Sequence, residues 1–325
     1  MTCTIPFIKE NRVPQQDLLL LNYEVLWDID LGGSEFCRVK LGKCRKSGRY
    51  VAVKIITKTS SNENEKDIMR YLKNKLSNND NVNGNKNNNR SLYIESSPVD
   101  QRLPCNYFPE VINVFEDIDF VYIVMELFIG GELYHLIVRI KNKLSENVLS
   151  YIFFQICDAV SILHSIGIVH GDIKAENIMF SEVSRLDSLK IIDFGSSNFI
   201  FKKFHLSHND SLSKNNLNNY LFYFDFWSCG KLLYLLLTGN YLDIDIEECL
   251  TNDKVKNIIN NSNELKEYSV LVKDLLIKLL SYSLYKKGSL SMKKILKHPW
   301  FELYNDFKIY NKYVYPHNEL LDILN

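Results

Sequence analysis

The residues of this chain that could do chemistry fall into four short segments. Leu31-Gly-Gly-Ser34 stands ahead of Val51-Ala-Val-Lys54, and His170-Gly-Asp-Ile-Lys-Ala-Glu-Asn177 comes much later. Asp193-Phe-Gly195 and Asp225-Phe-Trp-Ser-Cys-Gly230 complete the set. A lysine inside an apolar run is a fixed cation, and a glycine pair lets backbone N–H groups close on an anion. Asn and Asp oxygens are hard donors of the kind that hold Mg2+, and a carboxylate can accept the proton of a hydroxyl. Together such groups could position a polyanion, neutralise its charge and orient an attacking hydroxyl. Taken singly each has a plain structural explanation, a turn or a solvated lysine. Their order along one chain is what carries the signal.

The elements that must position these residues can be read from periodicity. Tyr23-Glu-Val-Leu-Trp27 alternates, and Val39 and Tyr50-Val-Ala-Val-Lys-Ile-Ile56 supply further strands. A short helix is expected over 62–73, with Ile68, Met69 and Leu72 on one face. A low-complexity insertion at about 74–100 follows, whose Asn-rich start (74–90) buries too little apolar area to offset its ordering entropy and is expected to be mobile. Order is expected to return near Tyr107, and Val121–Met125 reads as a buried strand. Ser145 is placed to cap a helix whose Leu149, Ile152, Phe153, Ile156, Val160 and Leu163 form one stripe. Short strands at Ile178–Phe180 and Leu189–Ile192 flank an expected exposed loop. An Asn/Ser-rich stretch, 207–219, precedes a hydrophobic helix expected to start near Phe224, and helical patterns continue over 263–300. Strands first and helices after give an α+β, two-part arrangement.

Bulk composition excludes several function classes. Lys and Arg number 39 against 39 Asp and Glu, with 46% hydrophobic residues, so neither a disordered chain nor a charge-driven nucleic-acid binder fits. The 7 cysteines are scattered without a Cys-x-x-Cys, against a disulfide framework or zinc site and for a reducing, cytoplasmic setting, with the nucleus left open. Leu18–Leu21 is too short for a signal h-region, and Thr2 stands where myristoylation needs glycine. The most membrane-like stretch, Tyr220–Leu237, is interrupted by Asp225 and Lys231 and reads better as a buried helix than as a span. No membrane and no nucleic-acid partner is therefore expected. His164, His205 and His208 lack metal-ligand spacing.

With the four segments in this order the sequence resembles the eukaryotic protein kinase family from about Tyr23 to Phe301. His298-Pro-Trp-Phe301 and Gly130-Gly-Glu132 are most similar to the calmodulin-dependent-kinase-like group of Ser/Thr kinases. The resemblance implies a bilobal protein kinase-like fold, with a small antiparallel-sheet N-lobe (23–127) and a large, mostly helical C-lobe (128–301). A leader (1–22), an atypical activation segment (about 196–220) and a C-terminal tail (302–325) complete the expected division. It also implies ATP and Mg2+ as cofactors and a protein Ser/Thr hydroxyl as substrate. Lys54 would contact the α/β-phosphates, held by a carboxylate for which Glu65 is the first candidate and Glu63 the second. Asp172 would orient the substrate hydroxyl and take its proton, Lys174 would reach the γ-phosphate, and Asn177 and Asp193 would ligate Mg2+. Leu31, Gly32, Gly33, Ser34, Val39, Ala52, Met125, Glu126, Glu132 and Met179 would line the nucleotide site. Asp225 would cap catalytic-loop amides. His170, Phe194 and Met69 would be packed core, and Cys37 is either a reactive thiol over the nucleotide or a small packed residue.

The chain departs from the family in places that matter. Ser34 and Cys37 stand where the second and third glycines are usual, which weakens phosphate contacts. Gly171 replaces the Arg that normally precedes the catalytic Asp and meets an activation-loop phosphate, so Ser207, Ser211 and Ser213 cannot operate that switch even if phosphorylated. No Ala-Pro-Glu precedes Asp225, and the position of its usual Arg partner is Ser289. Losing one member of a buried pair costs roughly 3–5 kcal/mol, whereas losing both can be nearly neutral. No EF-hand calcium module occurs, and Glu319–Leu324 forms a short amphipathic end that could pack on the C-lobe or meet a partner. The expected function is a Ser/Thr protein kinase; the alternative is a pseudokinase scaffold with little transfer activity.

Overall fold

Helix α1 (Gln15–Asn22) leads directly into β1 (Tyr23–Ser34), which turns back through Glu35-Phe36 into β2 (Cys37–Cys44). After β3 (Tyr50–Thr57) come helix α2 (Glu63–Ser77) and the strands β4 (Val111–Glu116) and β5 (Phe120–Glu126). The five strands form one sheet in the order β1-β2-β3-β5-β4, every neighbouring pair antiparallel. This is a computed structural model, and it describes residues 15–58, 63–77, 107–140, 144–200, 211–247, 252–286 and 290–306. The described residues divide into two compact units. One holds those through Lys66 together with Glu110–Leu127, the other Asp67 to Pro109 and Phe128 onward.

Pleating sorts the first unit's sheet into two faces. Val51, Val53, Tyr122 and Val124 point one way and join Tyr23, Val25 and Leu19 in a single buried cluster. Leu19 belongs to α1, so part of the stretch expected to be an unpatterned leader closes this face. The helix end is secured where Arg45 Nε donates to the Leu20 carbonyl (2.9 Å) and Asn22 Nδ2 to the Leu18 carbonyl (2.7 Å). β3 is central, with β2 and β5 on either side, which is why Lys54 on it is buried.

The second unit is mostly helical. It contains β6 (Gly131–Glu132), α3 (Leu133–Ile140), α4 (Glu146–Ser165), β7 (Ile168–Val169), β8 (Ile178–Phe180), β9 (Leu189–Ile191) and β10 (Asn198–Phe199). Then follow α5 (Ser211–Thr238), α6 (Asn252–Asn261), α7 (Val270–Leu280), α8 (Tyr282–Lys286), α9 (Met292–Ile295) and a 3-10 helix, Pro299–Asp306. The whole predicted stripe of α4 is buried, and α4 packs on α5 and on the final 3-10 helix, with Phe153 stacked on Phe301. Burial of α4 in this core accounts for its apolar composition, although it is long and apolar enough to cross a membrane.

Several boundaries differ from expectation. α2 runs on through Asn74–Ser77, which composition assigned to the low-complexity insertion; residues 78–106 lie outside those described. α5 begins at Ser211 rather than near Phe224. Once nucleated by its buried later turns a helix gains one hydrogen bond per residue, so it can propagate back through a poor Asn-rich segment. Ser145 occupies the N-cap of α4 in extended conformation, yet its side chain makes no capping bond; only its carbonyl accepts, from Leu149 N (3.1 Å). The loop between β8 and β9 is tied down rather than exposed, since Leu186 is buried and Arg185 clamps Glu182 and Asp187. Tyr304, in the tail's first turn, packs on Tyr151 and Phe154. His205, Ser207, His208, Ser289 and Glu319–Leu324 lie outside the described residues.

Candidate active site

In the first unit the register puts Val39, Ala52, Lys54 and Met125 on one face. Val39 pairs with Lys54 and Ala52 with Met125, and directly opposed residues share a face. This face is opposite the α1-covered cluster. Lys54 Nζ donates to Glu65 Oε1 of α2, and both side chains are almost fully buried. Glu65 rather than Glu63 is therefore the partner. A buried ammonium of this kind is tolerable only because the carboxylate pairs with it.

The β1–β2 hairpin carries Leu31, Gly32, Gly33 and Ser34. Gly32 pairs with Val39, Gly33 with Arg38 and Ser34 with Cys37. Gly33 has φ +157°, and a Cβ there would stand 2.5 Å from the Cys37 carbonyl oxygen, so the hairpin closes only with glycine at this position. The pair Gly32-Gly33 thus serves the backbone, while Ser34 and Cys37 sit at the turn, Cys37 half-buried. Glu126 pairs with Val51 and lies on the cluster face, away from Lys54. Its Oε1 accepts from Glu110 N (2.8 Å) and its backbone N donates to the Glu110 carbonyl (3.0 Å), so its carbonyl is the group a ligand on the Lys54 face could use.

In the second unit the loop from His170 to Asn177 connects β7 to β8. Lys174 Nζ donates to Asp172 Oδ2 (2.7 Å), and Asn177 Nδ2 donates to both the Asp172 carbonyl (2.8 Å) and Oδ2 (2.8 Å). Because a carbonyl only accepts, this bond fixes the amide orientation and leaves Asn177 Oδ1 as the oxygen available to a metal. The bond to Asp172 outweighs partial burial and holds the Lys174 ammonium above its ordinary pKa, so it stays charged. Asn177 O accepts from Ile192 N (2.9 Å), tying this loop to the strand end that carries Asp193. Asp193 is exposed, adopts φ +62°, and its Oδ1 accepts from Gly195 N (3.3 Å). Among the described residues no three His, Cys, Asp or Glu side chains gather into a metal site. Asn177 with Asp193 fits a different design, since Mg2+ takes few protein ligands and completes its shell with water and phosphate. Glu132 on β6 pairs with Met179 on β8, which pairs in turn with Lys190.

Buried groups hold this loop from behind. Asp225 on α5 is fully buried and accepts from His170 N (2.9 Å), Gly171 N (2.8 Å) and His164 Nε2 (2.8 Å). Burial alone would push its pKa up, but the His164 bond and the Gly171 amide more than offset this and hold it below the ordinary value. His170 is packed core: its Nε2 donates to the Ile192 carbonyl (3.1 Å) and Nδ1 accepts from Asp172 N (3.3 Å). Burial depresses its pKa despite Asp225, so the ring is neutral, as those two opposite roles require. Phe194 is buried against it at 5.2 Å and against Phe108 at 6.2 Å. Met69 is also buried. His164 and Ser197, whose Oγ donates to the His170 carbonyl (2.8 Å), were not singled out from spacing. His164 lies in the last turn of α4, 61 residues from Asp225 in sequence, and only the tertiary contact with Asp225 gives it a role.

Gly171 has φ +79°, and a Cβ there would stand 2.7 Å from the Ser196 carbonyl oxygen. In this chain the residue before Asp172 is therefore fixed by backbone conformation and close approach rather than by a phosphate contact.

Residues 28–301 match the protein kinase domain. The calcium and calcium/calmodulin-dependent serine/threonine-protein kinase of Oryza sativa subsp. japonica is 32% identical over 209 residues, covering 59% of this chain and 39% of that protein. Human serine/threonine-protein kinase D3 is 28% identical over 296 residues, 87% of this chain and 29% of that protein. The maternal embryonic leucine zipper kinase of Danio rerio is 29% identical over 293 residues, 87% of this chain and 38% of that protein. The chain thus spans well under half the length of each of these relatives.

Proposed function

The chain belongs to the protein kinase family, and from that premise we propose that it transfers the γ-phosphate of ATP to serine and threonine hydroxyls of protein substrates. Lys54, steadied by Glu65, takes the α/β-phosphates, with Val39, Ala52 and Met125 beside it as apolar wall. Asp172 orients the substrate hydroxyl and accepts its proton, and Lys174 meets the γ-phosphate as charge builds on the transferring oxygens. Asn177 and Asp193 would hold Mg2+, which neutralises phosphate charge when bound. Leu31, Gly32, Gly33, Ser34, Glu126 (through its backbone), Glu132 and Met179 complete the proposed nucleotide-contacting set. The proposed setting is cytoplasmic, in keeping with seven scattered cysteines that form no Cys-x-x-Cys.

The observation that carries this reading over a catalytically silent scaffold is the grouping of Lys174 and Asn177 on Asp172 Oδ2. A chain retained only as a scaffold has no need to keep the proton acceptor so oriented. The test is incubation with Mg-ATP labelled at the γ-phosphate and a mixed protein pool, followed by phosphoamino-acid analysis. Labelled phosphoserine and phosphothreonine are expected. An unlabelled pool, with nucleotide stabilisation of the native chain that disappears in Lys54→Met, would establish the scaffold instead.

A further inference from the structure

The Lys54–Glu65 bond needs α2 held at one distance from the sheet, and the first unit contains a device placed to do this. Lys66, the residue after Glu65, puts its Nζ 2.8 Å from Glu116 Oε2 at the end of β4. The same oxygen lies 3.3 Å from Nζ of Lys58, just past the end of β3, the strand that bears Lys54. One carboxylate oxygen therefore ties the lysine strand to the helix carrying the lysine's partner. All three side chains are partly shielded, at 32% exposure for Lys58, 27% for Glu116 and 19% for Lys66.

The anchor is itself rigid. Asp117 Oδ1 accepts from Asp119 N (2.9 Å) and Phe120 N (2.7 Å), and Oδ2 accepts from Tyr122 OH (2.8 Å). Lys58 also donates through its backbone N to the Asp119 carbonyl (2.7 Å) and through Nζ to the Asp117 carbonyl. Glu116 thus projects from a turn with little freedom. Only 11 residues separate Lys54 from Glu65, so a shift of α2 has a short lever on which to act.

We propose that Glu116, with Lys58 and Lys66, is a positioning residue for phosphate transfer: the triad sets α2 where Glu65 can hold Lys54 ready for nucleotide. This rests on the reading of Lys54 as the phosphate-binding lysine. Glu116 touches no substrate; it acts through Lys66 on Glu65.

The test is a double-mutant cycle on kcat/KM for ATP with native chain, Glu116→Gln, Lys66→Met and the double variant, at low and high salt. Each single variant is expected to lose roughly two- to fivefold in kcat/KM, the upper part of the range for ion pairs that are only partly shielded. The double variant is expected to lose no more than the worse single one. Unfolding midpoints should stay near the native value, since a merely structural pair would move stability and leave kcat/KM alone. The native advantage over Glu116→Gln should shrink as the Debye length falls from about 10 Å at 0.1 M salt to about 3 Å at 1 M. Additive losses, or a Glu116→Gln variant with native kcat/KM at low salt, overturn the proposal. Lys54→Met run alongside separates the two levels: full activity in that variant sinks the phosphate-binding reading itself, whereas its inactivity beside a native-like Glu116→Gln sinks the triad alone.

Discussion

Asp225 offers a sharp perturbation because its chemistry is fully enclosed. Its carboxylate is buried completely and accepts from two consecutive backbone N–H groups, His170 and Gly171, and from His164 Nε2. Asp225→Asn keeps the shape but removes the charge and puts an NH2 where an acceptor stood, so one of three donors faces another donor. Charge-assisted hydrogen bonds contribute about 1.5–3 kcal/mol net, and a stranded buried donor costs about 1–3 kcal/mol. The expected loss is therefore about 2–4 kcal/mol, a large part of a typical stability of about 5–15 kcal/mol. For a domain of 150–250 residues that amounts to roughly 5–15 °C in melting temperature. Because His170 and Gly171 lead straight into Asp172, turnover well below the melting range should also fall, by about tenfold or more, as small displacements of a catalytic group are costly. Thermal unfolding and γ-phosphate transfer at low temperature measure the two effects. Asp274→Asn is the control: its carboxylate also meets a histidine and a lysine, but its side chain is 48% exposed, so a loss below about 1 kcal/mol is expected. If Asp225→Asn melts and turns over like the native chain, this carboxylate does not hold the loop.

Three further outcomes are expected. Lys54→Met strands Glu65 in a buried position and should destabilise by about 3–5 kcal/mol, while Lys54→Met with Glu65→Leu should recover most of it; melting curves that show the two losses adding would contradict this. Gly171→Ala should cost about 1–3 kcal/mol, since it places a side chain at φ +79° against the Ser196 carbonyl. Gly171→Arg, which introduces the residue usual in the family, should then lower stability and turnover rather than raise them, and an improved enzyme would refute the backbone explanation. Burial holds both His170 and His298 below their ordinary pKa, so the unfolded chain binds more protons as pH drops below about 6.5 and stability falls there. Asp225, held low, adds a second loss only as pH falls below about 4. Urea titrations at a series of pH values check this, and a flat or rising stability between about pH 7 and pH 5 would count against it.

Much of the site was legible because its residues sit in short segments where type and spacing coincide. Lys54 could be placed on a buried strand from the apolar run around it, whereas the roles of Asp172, Asn177 and Asp193 came from the resemblance of their short motifs to the kinase family. The stripe of α4 was legible for the same reason: the helical period repeats over five turns. What escaped was set by contacts distant in sequence. Leu19 gives no local sign that it closes a sheet face, because α1 is short and its neighbours Leu18, Leu20 and Leu21 are all apolar. Glu116, Lys58 and Lys66 look like ordinary surface charges until the β4–β5 turn brings them together. Composition misplaced the start of α5 because Asn is a weak helix former but not a helix breaker, and the buried turns beyond Tyr223 decide the outcome. Ser145 had the right identity and position for a cap, yet its side chain makes no capping bond, a choice that cannot be read from residue type.

The proposed role of Asp172 is to take a proton from a hydroxyl that attacks a bound nucleotide. Its most direct test compares initial rates of label transfer from γ-labelled Mg-ATP by native chain and by Asp172→Asn, both shown by melting to be folded and both saturated with nucleotide. A drop of about a hundredfold or more in the variant, with nucleotide binding preserved, is the predicted result. Equal rates in the two proteins would contradict the assignment.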